Sequence, residues 1–94
     1  MIILQIEHAV PDYGYWKKAF DIDPVNRKQS GVKRHRVFRQ ADNPNFVIIE
    51  LEFETLNEAK NLLAALQNVW KQIEGKVILG PKARIIELAD EQEY

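Results

Sequence analysis

The sequence predicts a single α+β domain whose elements run β-α-β-β-α-β. Three observations carry this reading. Four segments, at 1–8, 32–39, 46–53 and 83–88, are rich in β-branched and long apolar residues. A long apolar stripe at helical spacing separates the third segment from the fourth, and a shorter one separates the first from the second. The chain has 94 residues, enough for one domain and too few for two, so residues 1–94 are read as one unit.

In the first strand, Ile2, Leu4 and Ile6 share one parity, with Ile3, Gln5 and Glu7 on the other, which gives one more apolar face. Pro11 ends it. Asp12 then caps a short helix whose Tyr13, Trp16 and Phe20 recur at helical spacing. Asp23-Pro24 reads as a second helical start running through Arg27 and Lys28, and Gly31 stops it because glycine accepts positive φ. The strands Val32–Arg39 and Phe46–Phe53 flank Gln40-Ala41-Asp42-Asn43-Pro44-Asn45, a turn-rich link that predicts a hairpin.

Thr55-Leu56-Asn57-Glu58 has the pattern of a capping box. Behind it, Leu56, Ala59, Leu62, Leu63, Leu66, Val69, Trp70 and Ile73 form one stripe, with Lys60, Asn61, Gln67 and Lys71 facing away. This is an amphipathic helix of about five turns that ends before Gly75. Gly80-Pro81 breaks the chain, Ala83–Leu88 is the last strand, and the acidic tail Ala89–Tyr94 is expected to fray.

This order is the ferredoxin-like, split βαβ arrangement. Right-handed crossovers place both helices on one face of a four-stranded antiparallel sheet and leave the other face uncovered. That face should carry Phe46, Ile48, Glu50 and Glu52 beside Val32, Arg34, Arg36 and Phe38. Mixed apolar and oppositely charged residues suit a second copy of the same face, which closes a dimeric α+β barrel. The plainer alternative is a solvated face with cross-strand salt bridges.

Composition excludes several classes. Thirteen basic against fourteen acidic residues argue against nucleic-acid binding. Without cysteine there is no disulfide or thiolate-bound metal, and two histidines without a partner carboxylate at helical spacing make no metal site. No apolar run approaches a membrane span. Met1-Ile2-Ile3-Leu4 is followed at once by polar residues and does not read as a signal peptide, so a cytoplasmic location is expected. A domain this small buries only about two-thirds of the surface its unfolded chain exposes, which is a further reason to expect a homodimer.

Among ferredoxin-like arrangements, a copper chaperone would need paired cysteines. An RNA-binding sheet would not carry Glu50, Glu52 and Glu54, and His8-Ala9-Val10-Pro11-Asp12 is no phosphate-cradling loop. The chain instead resembles the dimeric α+β barrel superfamily that includes the antibiotic-biosynthesis monooxygenases, and within it the short stand-alone cyclase-like proteins of unknown function. The matching residues are His8-Ala9-Val10-Pro11-Asp12-Tyr13 with Trp16-Lys17 and Ala19-Phe20-Asp21, Arg36-Val37-Phe38-Arg39, Ala41-Asp42-Asn43-Pro44-Asn45, Asn57-Glu58-Ala59 and Gly80-Pro81. The resemblance implies a homodimer joined through the sheet face and a pocket between helices and sheet. It also implies a cofactor-independent monooxygenase, cyclase or isomerase if the chain is an enzyme. It argues against haem degradation: Gln5 and Glu7 stand where those relatives carry asparagine, and Lys76-Val77 where they carry histidine.

The candidate catalytic residues are His8, a general base at the end of the first strand, and Arg36, a donor to a developing enolate. Local bonding to the Asp12 loop is the simpler role for His8. Tyr15, Trp16, Phe20 and Trp70 are candidate walls for a flat, apolar or aromatic ligand, although the last three also fit as core. Arg34, Arg36, Glu50 and Glu52 are read first as an ion network and second as polar substrate contacts. No cofactor is expected. Two functions of different class follow: conversion of a small molecule, or a non-catalytic ligand-binding or assembly module.

Overall fold

The computed structural model describes residues 1–94 and has the elements β1 (Ile2–Ala9), α1 (Tyr13–Ile22), β2 (Arg34–Gln40), β3 (Asn43–Phe53), α2 (Leu56–Ile73) and β4 (Leu79–Glu87). They build one four-stranded sheet in the order β2-β3-β1-β4, with every neighbouring pair antiparallel. The register sets Leu4 opposite Leu51 and Ile85, and Ile6 opposite Ile49 and Ala83. Those residues therefore share one face. Leu4, Ile6, Val47, Ile49, Leu51 and Phe53 join Trp16, Ala59 and Leu62 in a single buried cluster under the helices. The alternation expected of a one-sided sheet accounts for this directly.

Helix α2 packs across β1, β3 and β4. Thr55 is its N-cap, and its hydroxyl accepts from the Glu58 N–H at 3.2 Å. The Glu58 carboxylate reaches back only as far as the Thr55 hydroxyl, at 3.1 Å, so the box closes through the side chain rather than the backbone. Leu56 opens the stripe but is exposed, and burial along this helix is deepest at Ala59 and Leu62. No helix is long and apolar enough to cross a membrane.

Several boundaries differ from expectation. Asp12 occupies the N-cap position of α1 without a side-chain bond. The second helical start at Asp23-Pro24 does not form a helix: Asp23 is the left-handed C-cap of α1 (φ 59), and turns follow it. Its carboxylate accepts from the Arg27 N–H at 2.9 and 3.1 Å, a cap-like bond that holds a turn because Asn26 is also left-handed (φ 50). The β2–β3 loop is only Ala41-Asp42, and the irregular register beyond Arg39 absorbs the residues around Pro44 into the strand end. Gly80-Pro81 falls inside the start of β4 and does not precede it. Proline is accommodated there because β4 is an edge strand.

Gly31 has φ 101, and a Cβ there would lie 2.5 Å from Glu58 Oε2 and 2.7 Å from its Cδ. Glu58 is flexible enough to yield, but the backbone strain stays. Gly31→Ala is expected to lower unfolding stability by about 1–2 kcal/mol. Urea titration should show a lower midpoint with an unchanged slope, and an unchanged midpoint would contradict this.

The second face of the sheet carries no helix. On it Arg34 binds Glu52 at 2.6 Å and Arg36 binds Glu50 at 2.8 Å. Gln5 donates to Glu50 at 3.2 Å, and Arg84 donates to Gln5 and, at 2.6 Å, to Glu7. The chain Arg36–Glu50–Gln5–Arg84–Glu7 thus spans all four strands. Arg34, Arg36, Glu50 and Glu52 form ion pairs here, the first of the two roles read from the sequence.

Candidate functional site

A cavity of about 290 Å³ opens between the helices and the covered face of the sheet. Fourteen of its 17 lining residues are hydrophobic. Strands β1 and β3 supply Ile6, His8, Ile49 and Leu51 as floor, and α1 supplies Trp16, Ala19 and Phe20. Trp70 with its neighbours on α2 forms the opposite wall, and Val77 and Ile78 close one end. Helix α1 is short, the segment after it is a set of turns, and α1 is not closely packed against α2.

His8 is 3 % exposed. Its parity on β1 points it into this layer, where its ring meets Trp16 edge-on at 5.7 Å. Nδ1 lies 3.1 Å from the Ala9 carbonyl oxygen. A carbonyl only accepts, so Nδ1 carries the proton and Nε2 presents a lone pair. Nε2 has no protein hydrogen-bond partner and is not fully sealed, and His8 lines the cavity. Burial pulls the His8 pKa below 6.5, with the Ala9 hydrogen bond acting the other way. The imidazole is therefore neutral at physiological pH, with Nε2 able to accept a proton.

Aromatic contacts continue from His8 through Trp16 to Phe20 (5.1 Å) and on to His35 (5.2 Å). Burial and the nearby Arg27 and Lys17 charges lower the pKa of His35 as well. Trp16, Phe20 and Trp70 thus line the cavity while also packing against the core. Two other sequence candidates are placed elsewhere. Tyr15 is 60 % exposed on the outer side of α1 and does not line the cavity. Arg36 is on the opposite face of the sheet, held by Glu50, so it and His8 do not reach one ligand within a chain.

A residue that sequence reasoning passed over takes a place in the wall. Arg27 lines the cavity, with its guanidinium carbon 3.9 Å from the centre of the Phe20 ring and Nη1 donating to the Phe20 carbonyl at 3.0 Å. The sequence reading places Arg27 in a second helix starting at Asp23-Pro24, and the turns found there instead bring it to the cavity. No group of three or more His, Asp or Glu side chains is arranged to hold a metal ion.

No family model and no curated protein matches the chain. Solved structures do. A candidate antibiotic-biosynthesis monooxygenase from Deinococcus radiodurans superposes with a TM-score of 0.72 at 13 % identity, covering 100 % of this chain and 98 % of that one. SnoaB, a cofactor-independent oxygenase from Streptomyces nogalater, gives a TM-score of 0.75 at 11 % identity over 96 % and 94 % of the two chains. The chain shares the ferredoxin-like fold of these structures. A dimeric ferredoxin-like protein from an uncultured marine organism shares it as well, with a TM-score of 0.66 at 8 % identity over 99 % and 91 % of the chains. Identities this low carry the fold alone, and that fold is the ferredoxin-like one expected from the sequence.

Proposed function

We propose that the chain is a homodimer whose cavity binds a small, flat, apolar or aromatic molecule and converts it without a cofactor, with His8 as general base. The observation that carries this is a buried, neutral histidine in a mostly apolar cavity wall, its Nε2 without a protein hydrogen-bond partner. Such a base removes a proton from a phenol or from a CH₂ acidified by a carbonyl, directly or through an aromatic ring. Low polarity around the enolate keeps water from competing. In an oxygenase of the SnoaB kind, O₂ would then take four electrons from that CH₂. One oxygen atom enters the product as C=O, and the other leaves as water.

The test is oxygen uptake with an anthrone as probe substrate, with quinone formation followed by absorbance. Uptake matched by quinone supports the oxygenase reading. Binding of the anthrone without turnover would replace it with a non-catalytic ligand-binding module.

The homodimer rests on the uncovered sheet face. Phe38 is 41 % exposed there, beside the half-buried Phe46 and Ile48 and the ion pairs. Apolar residues with a polar, charge-paired surround are what a self-complementary interface needs. Light scattering at micromolar concentration is expected to give the mass of a dimer, and Phe38→Glu that of a folded monomer. A wild-type monomer would remove the dimer from the reading.

A further inference from the structure

We propose that Arg27 is an anion-recognising group of the cavity, so that the ligand is a flat apolar body ending in a carboxylate. The inference rests on the ligand-binding reading above and narrows its chemistry. His8 and Arg27 are the only ionisable side chains in the cavity wall. The Arg27 side chain is 14 % exposed, and a guanidinium so far withdrawn from water is stable only with compensating partners.

Its protein partners are incomplete. Asp23 approaches Nη1 only to 3.6 Å, while both its carboxylate oxygens accept from the Arg27 backbone N–H. One guanidinium N–H is taken by the Phe20 carbonyl. Beyond this bond and the Asp23 ion pair no other acceptor reaches the guanidinium, and none of its unbonded nitrogens is fully sealed. The Phe20 ring lies against the guanidinium and fixes its plane, which leaves a preorganised fork of the shape that matches a carboxylate. Arg27 also borders a surface groove lined by Asp23, Lys28, Lys33 and Arg34, in which Arg34 is paired with Glu52 and Lys33 with Glu54. A single guanidinium suits a monoanion, and the apolar remainder of the wall suits an aromatic or aliphatic body.

The test is calorimetric titration of the full chain with two probes of one shape, 2-naphthoate and its neutral amide 2-naphthamide. Naphthoate is expected to bind wild type roughly 10-fold or more tightly than naphthamide. Arg27→Met should erase that preference, read as the ratio of the two affinities, and Arg27→Lys should retain part of it. Added salt should weaken naphthoate alone.

Equal affinity of wild type for the two probes would overturn the proposal and leave the binding cavity standing. Binding of neither probe would overturn both. The wild-type comparison decides the matter even if Arg27→Met fails to fold.

Discussion

Replacing His8 with alanine is expected to lower turnover by about 10²- to 10⁴-fold, the usual contribution of a positioned general base. Affinity for the substrate should change much less, because the apolar walls stay in place. His8 also packs against Trp16, so a structural loss must be separated from a chemical one. The pH dependence does this. Burial holds the His8 pKa below 6.5, so the wild-type rate should be flat near neutrality and fall only at a midpoint below 6.5. Residual activity in the alanine variant should lack that limb. Unaltered turnover, or the same limb in the variant, would remove His8 from the chemistry.

The same shift has a consequence for stability. The folded chain takes up the His8 proton at lower pH than the unfolded chain does, so between 6.5 and the lowered folded pKa the unfolded state binds more protons. Stability therefore falls as pH drops through that window, with a slope of at most about 1.4 kcal/mol per pH unit from this group. His35 shifts in the same direction, so only the difference between wild type and the His8 variant reports on His8.

Phe53→Ala is expected to cost about 3–5 kcal/mol of unfolding free energy. Phe53 is 0 % exposed at the end of β3, opposite Ile2 and inside the one buried cluster. Its removal leaves a ring-sized void that a sheet hydrogen-bonded on both sides cannot collapse to fill. Domains of this size are stable by only about 5–15 kcal/mol, so the variant should be partly unfolded or have a sharply lower urea midpoint. Protein concentration must be held constant, because dimerisation would add to apparent stability. Lys60→Ala, on the exposed side of α2, should stay within about 0.5 kcal/mol. A Phe53 variant as stable as that control would mean the core is not organised around β3.

Element order and the two faces of the sheet were legible because they depend on local periodicity. Val47, Ile49, Leu51 and Phe53 alternate strictly, and the buried side of α2 repeats at helical spacing from Ala59 onward. Side-chain period alone assigns such residues to one face whatever packs there. The segment after α1 was misread for a related reason. Asp23, Pro24 and Gly31 are helix-boundary residues by preference, but two left-handed residues, Asp23 and Asn26, turn the chain before a helix can start. Left-handed backbone at aspartate and asparagine is permitted, not required, and so leaves little trace in sequence.

The sequence by itself determined the strands, the helices, the apolar face and the parity that sends His8 under the helices. Only the tertiary structure decided that Trp16, Phe20 and Trp70 border open space as well as core. It also decided that Arg36 lies behind the sheet and that Arg27 takes a place in the cavity wall. The physical reason is that a face is a property of neighbouring residues. A cavity is the gap left between elements distant in sequence, and its size depends on where a short helix stops and how the next turn folds.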